Sequence, residues 1–182
     1  MPFDLPVSQF VAEHLRAEWL TPLMEALSDA VTPVALIVAL LCISALAPGK
    51  RLTRFCAINL VLSTVLNQVL KFIIQRPRPD AALHLVDIGG FSFPSGHSMA
   101  AMSFFGLLIW LVWRYHEKGP RRTALVASFA AIIVLIGFSR VYLGVHYVSD
   151  VLGGFLVSLA WIALYIKVAA PRILGGQGTL SS

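Results

Sequence analysis

The sequence predicts an all-α integral membrane helical bundle, with five transmembrane helices and N-terminal amphipathic surface helices. Three observations carry this expectation. Hydrophobic residues make up 58% of the 182 residues and charged residues only 13%, whereas a soluble domain averages roughly 45–50% and about 25%. Five runs, 30–47, 55–70, 98–113, 123–139 and 151–166, contain no charged residue and offer water no polar face. The cations, which leave the chain at +5, gather in alternate connections between those runs, the bias of loops on the cytoplasmic side of a membrane. The expected organisation is an amphipathic interfacial segment over 1–29, a transmembrane domain over 30–168 and a cytoplasmic tail over 169–182.

In the first segment, Val7, Phe10, Val11 and Leu15, then Leu20, Leu23, Met24, Leu27 and Val31, recur at helical spacing among acidic residues. Thr21-Pro22 has the chemistry of an N-cap and a first helical residue. Two short helices are expected, lying on the bilayer with Trp19 at headgroup level or packing against the other helices. Neither arrangement requires a chemical role for them. The acidic start lacks the basic-then-apolar order of a cleavable signal peptide.

Each apolar run is 16 to 18 residues long. That is slightly under the roughly 20 that span a bilayer comfortably, so polar ends must complete each helix. Asn59, Asn67 and Gln68 fall inside the second run, where amides are expected to bond neighbouring helices. Gly153, Gly154 and Ser158 on the last run, with Ala100, Ala101 and Gly106 on the third, would allow close packing. Cys42 and Cys56 sit in apolar runs and read as small buried hydrophobes, with no disulfide or metal framework implied.

Lys50, Arg51 and Arg54 lie between the first two runs. Arg114, Lys118, Arg121 and Arg122 lie between the third and fourth, and Lys167 and Arg172 follow the fifth. The N-terminal segment carries Asp4, Glu13, Glu18, Glu25 and Asp29 against Arg16. The expected orientation is N-out and C-in across a bacterial-type plasma membrane, and the expected partner is the bilayer, not nucleic acid. The connections 76–93 and 140–150 then face outward, with most of the remaining ionisable residues.

The stretch Pro94-Ser95-Gly96-His97 breaks the chain just before the third run. The first N–H groups of the helix it opens have no partner within that helix, which suits a cap and also suits an anion. Lys71 ends the second helix, and Arg78 follows in Arg76-Pro77-Arg78-Pro79, where the prolines stop the helix and let Arg78 fold back. Alone, these cations could simply snorkel to lipid headgroups. The fourth run ends at Ser139-Arg140, followed by His146 and Asp150. At i and i+4 on the start of the fifth helix, the latter two would share a face, and the carboxylate would fix the imidazole tautomer. Two histidines, one carboxylate, three cations and a helix N-terminus converging on one side suit phosphoryl transfer. Arginine is favoured because its fork matches phosphate oxygens. A metal site built on His97, His146 and Asp150 is the competing arrangement. The residues alone leave open which histidine attacks.

Three motifs, Lys71-(six residues)-Arg78-Pro79, Pro94-Ser95-Gly96-His97 and Ser139-Arg140-(five residues)-His146-(three residues)-Asp150, resemble the three-part signature of the type 2 phosphatidic acid phosphatase superfamily. The resemblance covers Thr32 to about Val168. It implies a metal-independent membrane lipid phosphatase without a cofactor. His146 would be the nucleophile, forming a phosphohistidine, Asp150 its orienting partner, and His97 the acid and then base. Lys71, Arg78 and Arg140 would clamp the phosphate, with Ser95 and Gly96 adding hydroxyl and backbone donors. The implied substrate is a lipid phosphate or diphosphate at the outer face, such as undecaprenyl diphosphate, phosphatidylglycerophosphate or phosphatidic acid. A lipid phosphotransferase with a non-water acceptor is the alternative. Membrane members usually have six spans, one more than the five read here. The short connection 80–91 is expected to rest in the outer leaflet beside a lateral opening, with His84 and Asp87 as solvated loop residues.

Overall fold

The structure, a computed structural model, describes residues 1–29 and 50–175, with positions 31, 32, 36, 39, 40 and 44 between them. Its helices are α1 (Asp4–His14), α2 (Thr21–Asp29), α3 (Lys50–Ile74), α4 (Gly96–Tyr115), α5 (Pro120–Tyr142) and α6 (Val148–Ile173), with a 3-10 turn at Ala81–Leu83. Among the described residues, four helices, α3 to α6, are long and apolar enough to cross a membrane. The expectation of five spans is corrected to four. The run 30–47, read as the first span, falls largely outside the described residues, as does Cys42. The four spans are 20 to 26 residues long, because each helix runs on through the polar residues that flank its apolar run. At 1.5 Å per residue, the shortest is still about 30 Å, the thickness of a bilayer core.

The bundle buries polar side chains within its apolar core and presents an apolar surface outside. Leu152, Leu156, Leu159 and Leu164 form one exposed face of α6, while Val61, Val65, Phe72 and Ile73 are exposed on α3. Asn59, Ser63, Asn67, Ser103, Ser139 and Ser158 are all buried between helices. Such a surface would be costly in water and is at home in lipid. Helix α4 lies at the centre, packed against α3, α5 and α6. Close approach rests on the small residues expected there. A Cβ on Gly154 would meet the Ser95 carbonyl at 3.1 Å, and one on Gly106 would meet Ile162 at 3.0 Å. Ser158 Oγ donates to the Met99 carbonyl (3.2 Å).

Asn59 bonds neighbouring helices as expected. Its Nδ2 donates to the Ser103 carbonyl (2.9 Å) and its Oδ1 accepts from Trp161 Nε1 (3.0 Å), joining α3, α4 and α6. Asn59→Leu would leave the indole N–H and the amide's place in the core unpartnered. The expected result is a loss of about 1 kcal/mol, read as a lowered thermal midpoint in detergent with the site itself intact.

Helices α1 and α2 are docked on the bundle. Val11 and Met24 are buried in one cluster with Tyr142, Leu143, Val145 and Val151. Helix α2 starts at Thr21 itself, whose hydroxyl donates back to the Ala17 carbonyl (3.2 Å). Arg16 fastens their linker, with Nε on the Tyr142 carbonyl (3.0 Å) and one terminal nitrogen on the Leu83 carbonyl (2.6 Å). Trp19, 76% exposed, points away from this packing.

Candidate active site

Lys71 lies one turn before the end of α3. Gln75 then takes a left-handed conformation (φ 49°), and the prolines hold the chain extended through Arg78. The segment therefore doubles back over the bundle end. Ser92 N–H donates to the Arg76 carbonyl (2.8 Å), pinning the two sides of the loop together. Lys71 Nζ donates to the Phe91 carbonyl. Arg78 gives Nε to Gly90 O and one terminal nitrogen to Gly89 O, both 3.0 Å. Its other terminal nitrogen reaches Val145 O (2.8 Å) and His146 Nε2 (3.2 Å). The end of connection 80–91, from Ile88 to Phe91, thus lines one wall of a cavity. His84 is half-buried against the Pro79 carbonyl (3.1 Å), and Asp87 is exposed.

That cavity, about 440 Å³, is lined by Lys71, Arg78, Gly96, His97 and His146 among others. Five of the eight residues expected in the site therefore share one space. The other three stand behind it. Ser95 is fully buried, and its Oγ caps α4, accepting from Ser98 N (3.4 Å) and Ser98 Oγ (2.9 Å). Arg140 is 3% exposed. One of its terminal nitrogens donates to Ser28 Oγ, while its Nε has no hydrogen-bond partner among the described residues.

Asp150 lies behind His146, in a geometry that differs from the expected helical i, i+4 pair. Tyr147 is the N-cap of α6, so His146 stands outside the helix. Asp150 Oδ2 takes the Tyr147 N–H (2.9 Å) and lies 3.6 Å from His146 Nδ1, too far for a good hydrogen bond. Ser92 Oγ fills the gap, 3.3 Å from Nδ1 and 2.5 Å from Oδ2. The tautomer follows from donor chemistry. Arginine can only donate, so Nε2, facing Arg78, accepts and Nδ1 carries the proton. That proton goes to Ser92 Oγ, whose own proton goes to Asp150. Burial holds the imidazole down to about 4 against the pull of Asp150, and the Arg78 and Arg140 charges add to the effect. His146 is neutral at pH 7, with its lone pair turned into the cavity.

Residues to which the sequence reading assigned no site role complete this arrangement. Arg76 donates to Asp150 Oδ1 (2.6 Å) and to Asp4 Oδ2 (2.8 Å). Ser92 was not singled out because a serine three residues before Ser95 carries no periodic or motif signal. Arg76 was visible as an arginine in the same proline-rich turn as Arg78, with nothing in the spacing to separate their duties. Gln68 departs from its expected role: it is exposed and lines both this cavity and an adjoining apolar one.

Spanning helices with a buried histidine among cations at one end define an integral membrane protein with a candidate site at that end. The PAP2 superfamily model matches residues 51–173, well over half the chain, and the chain belongs to that superfamily. It is 47% identical over 96 residues to phosphatidylglycerophosphatase B of Bacillus subtilis (strain 168), covering 52% of this chain and 47% of that protein. It is 34% identical over 126 residues to a lipid A 1-phosphatase of Rhizobium johnstonii, covering 63% of this chain and 46% of that one. These matches span about half the length of the curated relatives. The crystal structure of a transmembrane PAP2-type phosphatidylglycerolphosphate phosphatase from Bacillus subtilis superposes with a TM-score of 0.82 at 29% identity, over 99% of this chain and 88% of that one.

Proposed function

We propose that the chain is a membrane lipid phosphatase that works through a phosphohistidine on His146. The observation that carries this reading is the junction of two cavities. The polar one holds His146, His97, Lys71 and Arg78. The adjoining one, about 510 Å³, is lined by Val31, Leu36, Leu60, Val61, Val65 and Met99 among others, and shares Asn67, Gln68, Gly96 and His97 with the first. A phosphate in the polar cavity would leave its apolar tail a path between membrane helices.

In the first step His146 Nε2 attacks phosphorus and the bond from phosphorus to the lipid oxygen, or in a diphosphate to the bridging oxygen, breaks. That oxygen takes a proton from His97 and leaves. In the second step His97 removes a proton from water, the water oxygen bonds phosphorus, and the N–P bond breaks to release phosphate. Lys71 and Arg78 balance the phosphate charge from the cavity wall, and Arg140 does so from behind it. Arg78 would exchange its contact with Nε2 for a phosphate oxygen. Gly96, the first residue of α4, lines the same cavity, and the first N–H groups of a helix suit an anion. Among the described residues no three His, Cys, Asp or Glu side chains converge as a metal-ligand set, so the cations are the groups available to stabilise this charge. The substrates that suit the site are phosphatidylglycerophosphate, phosphatidic acid and undecaprenyl diphosphate, presented from the outer leaflet.

The test is purified protein in detergent with chelator, given these three lipids. Phosphate release in proportion to lipid loss is expected. Phosphate retained on an acceptor would replace hydrolysis with transfer, and loss of activity with chelator would overturn the metal-free chemistry. The outward orientation rests on Lys50 and Arg51 at the start of α3, Arg121 and Arg122 in the first turn of α5, and Arg172 in the last turn of α6. All lie at the ends away from the candidate site. A reporter enzyme fused at Gly119 is expected to stay cytoplasmic, and its export would reverse the assignment.

A further inference from the structure

We propose that Asp4 is a positioning residue for catalysis: it occupies half of the Arg76 guanidinium and thereby leaves one oxygen of Asp150 free to orient His146. This rests on the phosphohistidine reading above. Asp4 is 2% exposed, although it lies in α1, far in sequence from the three motifs. Its Oδ1 accepts from Ser149 N (3.0 Å) and its Oδ2 from Ser149 Oγ (2.7 Å) and Arg76 (2.8 Å). The Met1 ammonium also reaches Oδ2 at 3.0 Å, from an exposed position. A buried carboxylate with this many donors is a built feature, since an uncompensated one would be costly.

Arg76 is split between two carboxylates. One terminal nitrogen serves Asp150 Oδ1 (2.6 Å) and Ser149 Oγ (2.6 Å), and the other serves Asp4. The guanidinium also lies 4.4 Å from the centre of the Tyr147 ring, which fixes its plane. An arginine beside a single carboxylate prefers to close its fork on both oxygens. Here that closure would take Asp150 Oδ2, the atom that receives Ser92 Oγ and Tyr147 N–H. By holding the second nitrogen, Asp4 keeps the Arg76–Asp150 contact to one oxygen, and Oδ2 remains at the end of the chain from His146 Nδ1 through Ser92. Asp4 touches no substrate and acts through Arg76.

The experiment measures phosphate release from detergent-solubilised phosphatidylglycerophosphate and dioctanoyl phosphatidic acid by wild type, Asp4→Ala, Arg76→Gln and the double variant. Asp4→Ala is expected to lower kcat about tenfold to a hundredfold with KM within about twofold, because phosphate binding is untouched. The decisive result is the double variant. With Arg76 gone there is no fork to close, so Asp4→Ala/Arg76→Gln is expected to be faster than Asp4→Ala alone. A double variant equal to or slower than Asp4→Ala, or a loss confined to KM, overturns the proposal. If Asp4→Ala does not fold, Asp4→Asn, which keeps the shape and removes the charge, is measured in its place. Nitrogen-15 NMR of labelled histidine, with His146 assigned by its loss in His146→Ala, gives a readout independent of turnover. The Nδ1–H form of His146 is expected in wild type and depleted in the Asp4 variant, and an unchanged tautomer sinks the idea. Wild type inactive on both lipids counts against the phosphatase reading alone, since the tautomer measurement still decides the role of Asp4.

Discussion

Replacing His146 with alanine is expected to reduce lipid phosphate hydrolysis by about 10⁴-fold or more, with the protein still folded in detergent. The size of the loss follows from the chemistry assigned to one atom. Nε2 is the atom in the cavity whose lone pair is fixed toward the phosphate position, by a proton on Nδ1 and by the Arg78 nitrogen 3.2 Å away. Among the described residues no other side chain inherits that arrangement. His97 shares the cavity but has no carboxylate or hydroxyl partner among the described residues to fix its tautomer. Phosphate release by His146→Ala at a rate near wild type would remove the phosphohistidine from the mechanism. The same geometry sets a pH dependence. Burial, reinforced by Arg78 and Arg140 and opposed by Asp150, lowers the His146 imidazole to about 4 from an ordinary value near 6.5. The attacking form is therefore neutral throughout the physiological range, and the acid limb of kcat/KM, where His146 gains a proton, should lie near 4. An acid limb near 6.5 in the free enzyme would contradict this. Stability carries the matching sign: the unfolded chain binds the extra proton first, so folding from this group weakens as pH falls from about 6.5 to about 4.

Much of the layout of the candidate site is legible in the sequence. Lys71, Arg78, Gly96, His97, His146 and Asp150 are placed by helix ends and prolines, and those are local signals. The apolar runs gave the spanning helices for the same reason, since a run of residues without charge has few fates. What the sequence could not show is of three kinds. The number of spans failed as a count: four are found among the described residues, and the run 30–47 lies largely outside them. Polar extension of each helix was foreseen, but its extent, from Val151 back to Val148 and from Ile166 on to Ile173 in α6, depends on packing. Finally, contacts between distant segments carry no periodic trace. Asp4 against Arg76, Ser28 against Arg140 and Ser92 between His146 and Asp150 join residues 54 to 112 positions apart. The docking of α1 and α2 through Val11 and Met24 is what brings the first two of these about, so segments that read as having no chemical role supply partners to the site.

Asp150→Asn is expected to lower kcat by roughly 10²–10⁴-fold, although it alters one atom and preserves volume. The reason lies in what surrounds the carboxylate. Oδ1 takes Arg76 (2.6 Å), while Oδ2 takes Tyr147 N–H (2.9 Å) and the Ser92 hydroxyl. Every partner is a donor. An asparagine has one acceptor oxygen and one amino group, so whichever way it is turned the amino group faces a donor. Turned toward Arg76, it sets two donors against each other inside a buried site. Turned toward Ser92, it collides with the Tyr147 N–H and forces the serine hydroxyl to accept, which removes the acceptor from Nδ1 and lets the proton move to Nε2. The lone pair needed for attack is then occupied. Ser92→Ala separates the two effects. It deletes the bridge while leaving the carboxylate and its charge, so it should cost less than Asp150→Asn, about tenfold, as His146 loses its orienting contact but keeps the negative charge 3.6 Å away. Equal losses in the two variants would mean that orientation through the serine, and not the carboxylate charge, carries the catalytic contribution of Asp150. A loss for Asp150→Asn that appeared in KM instead of kcat would place Asp150 in substrate binding and out of the imidazole's support.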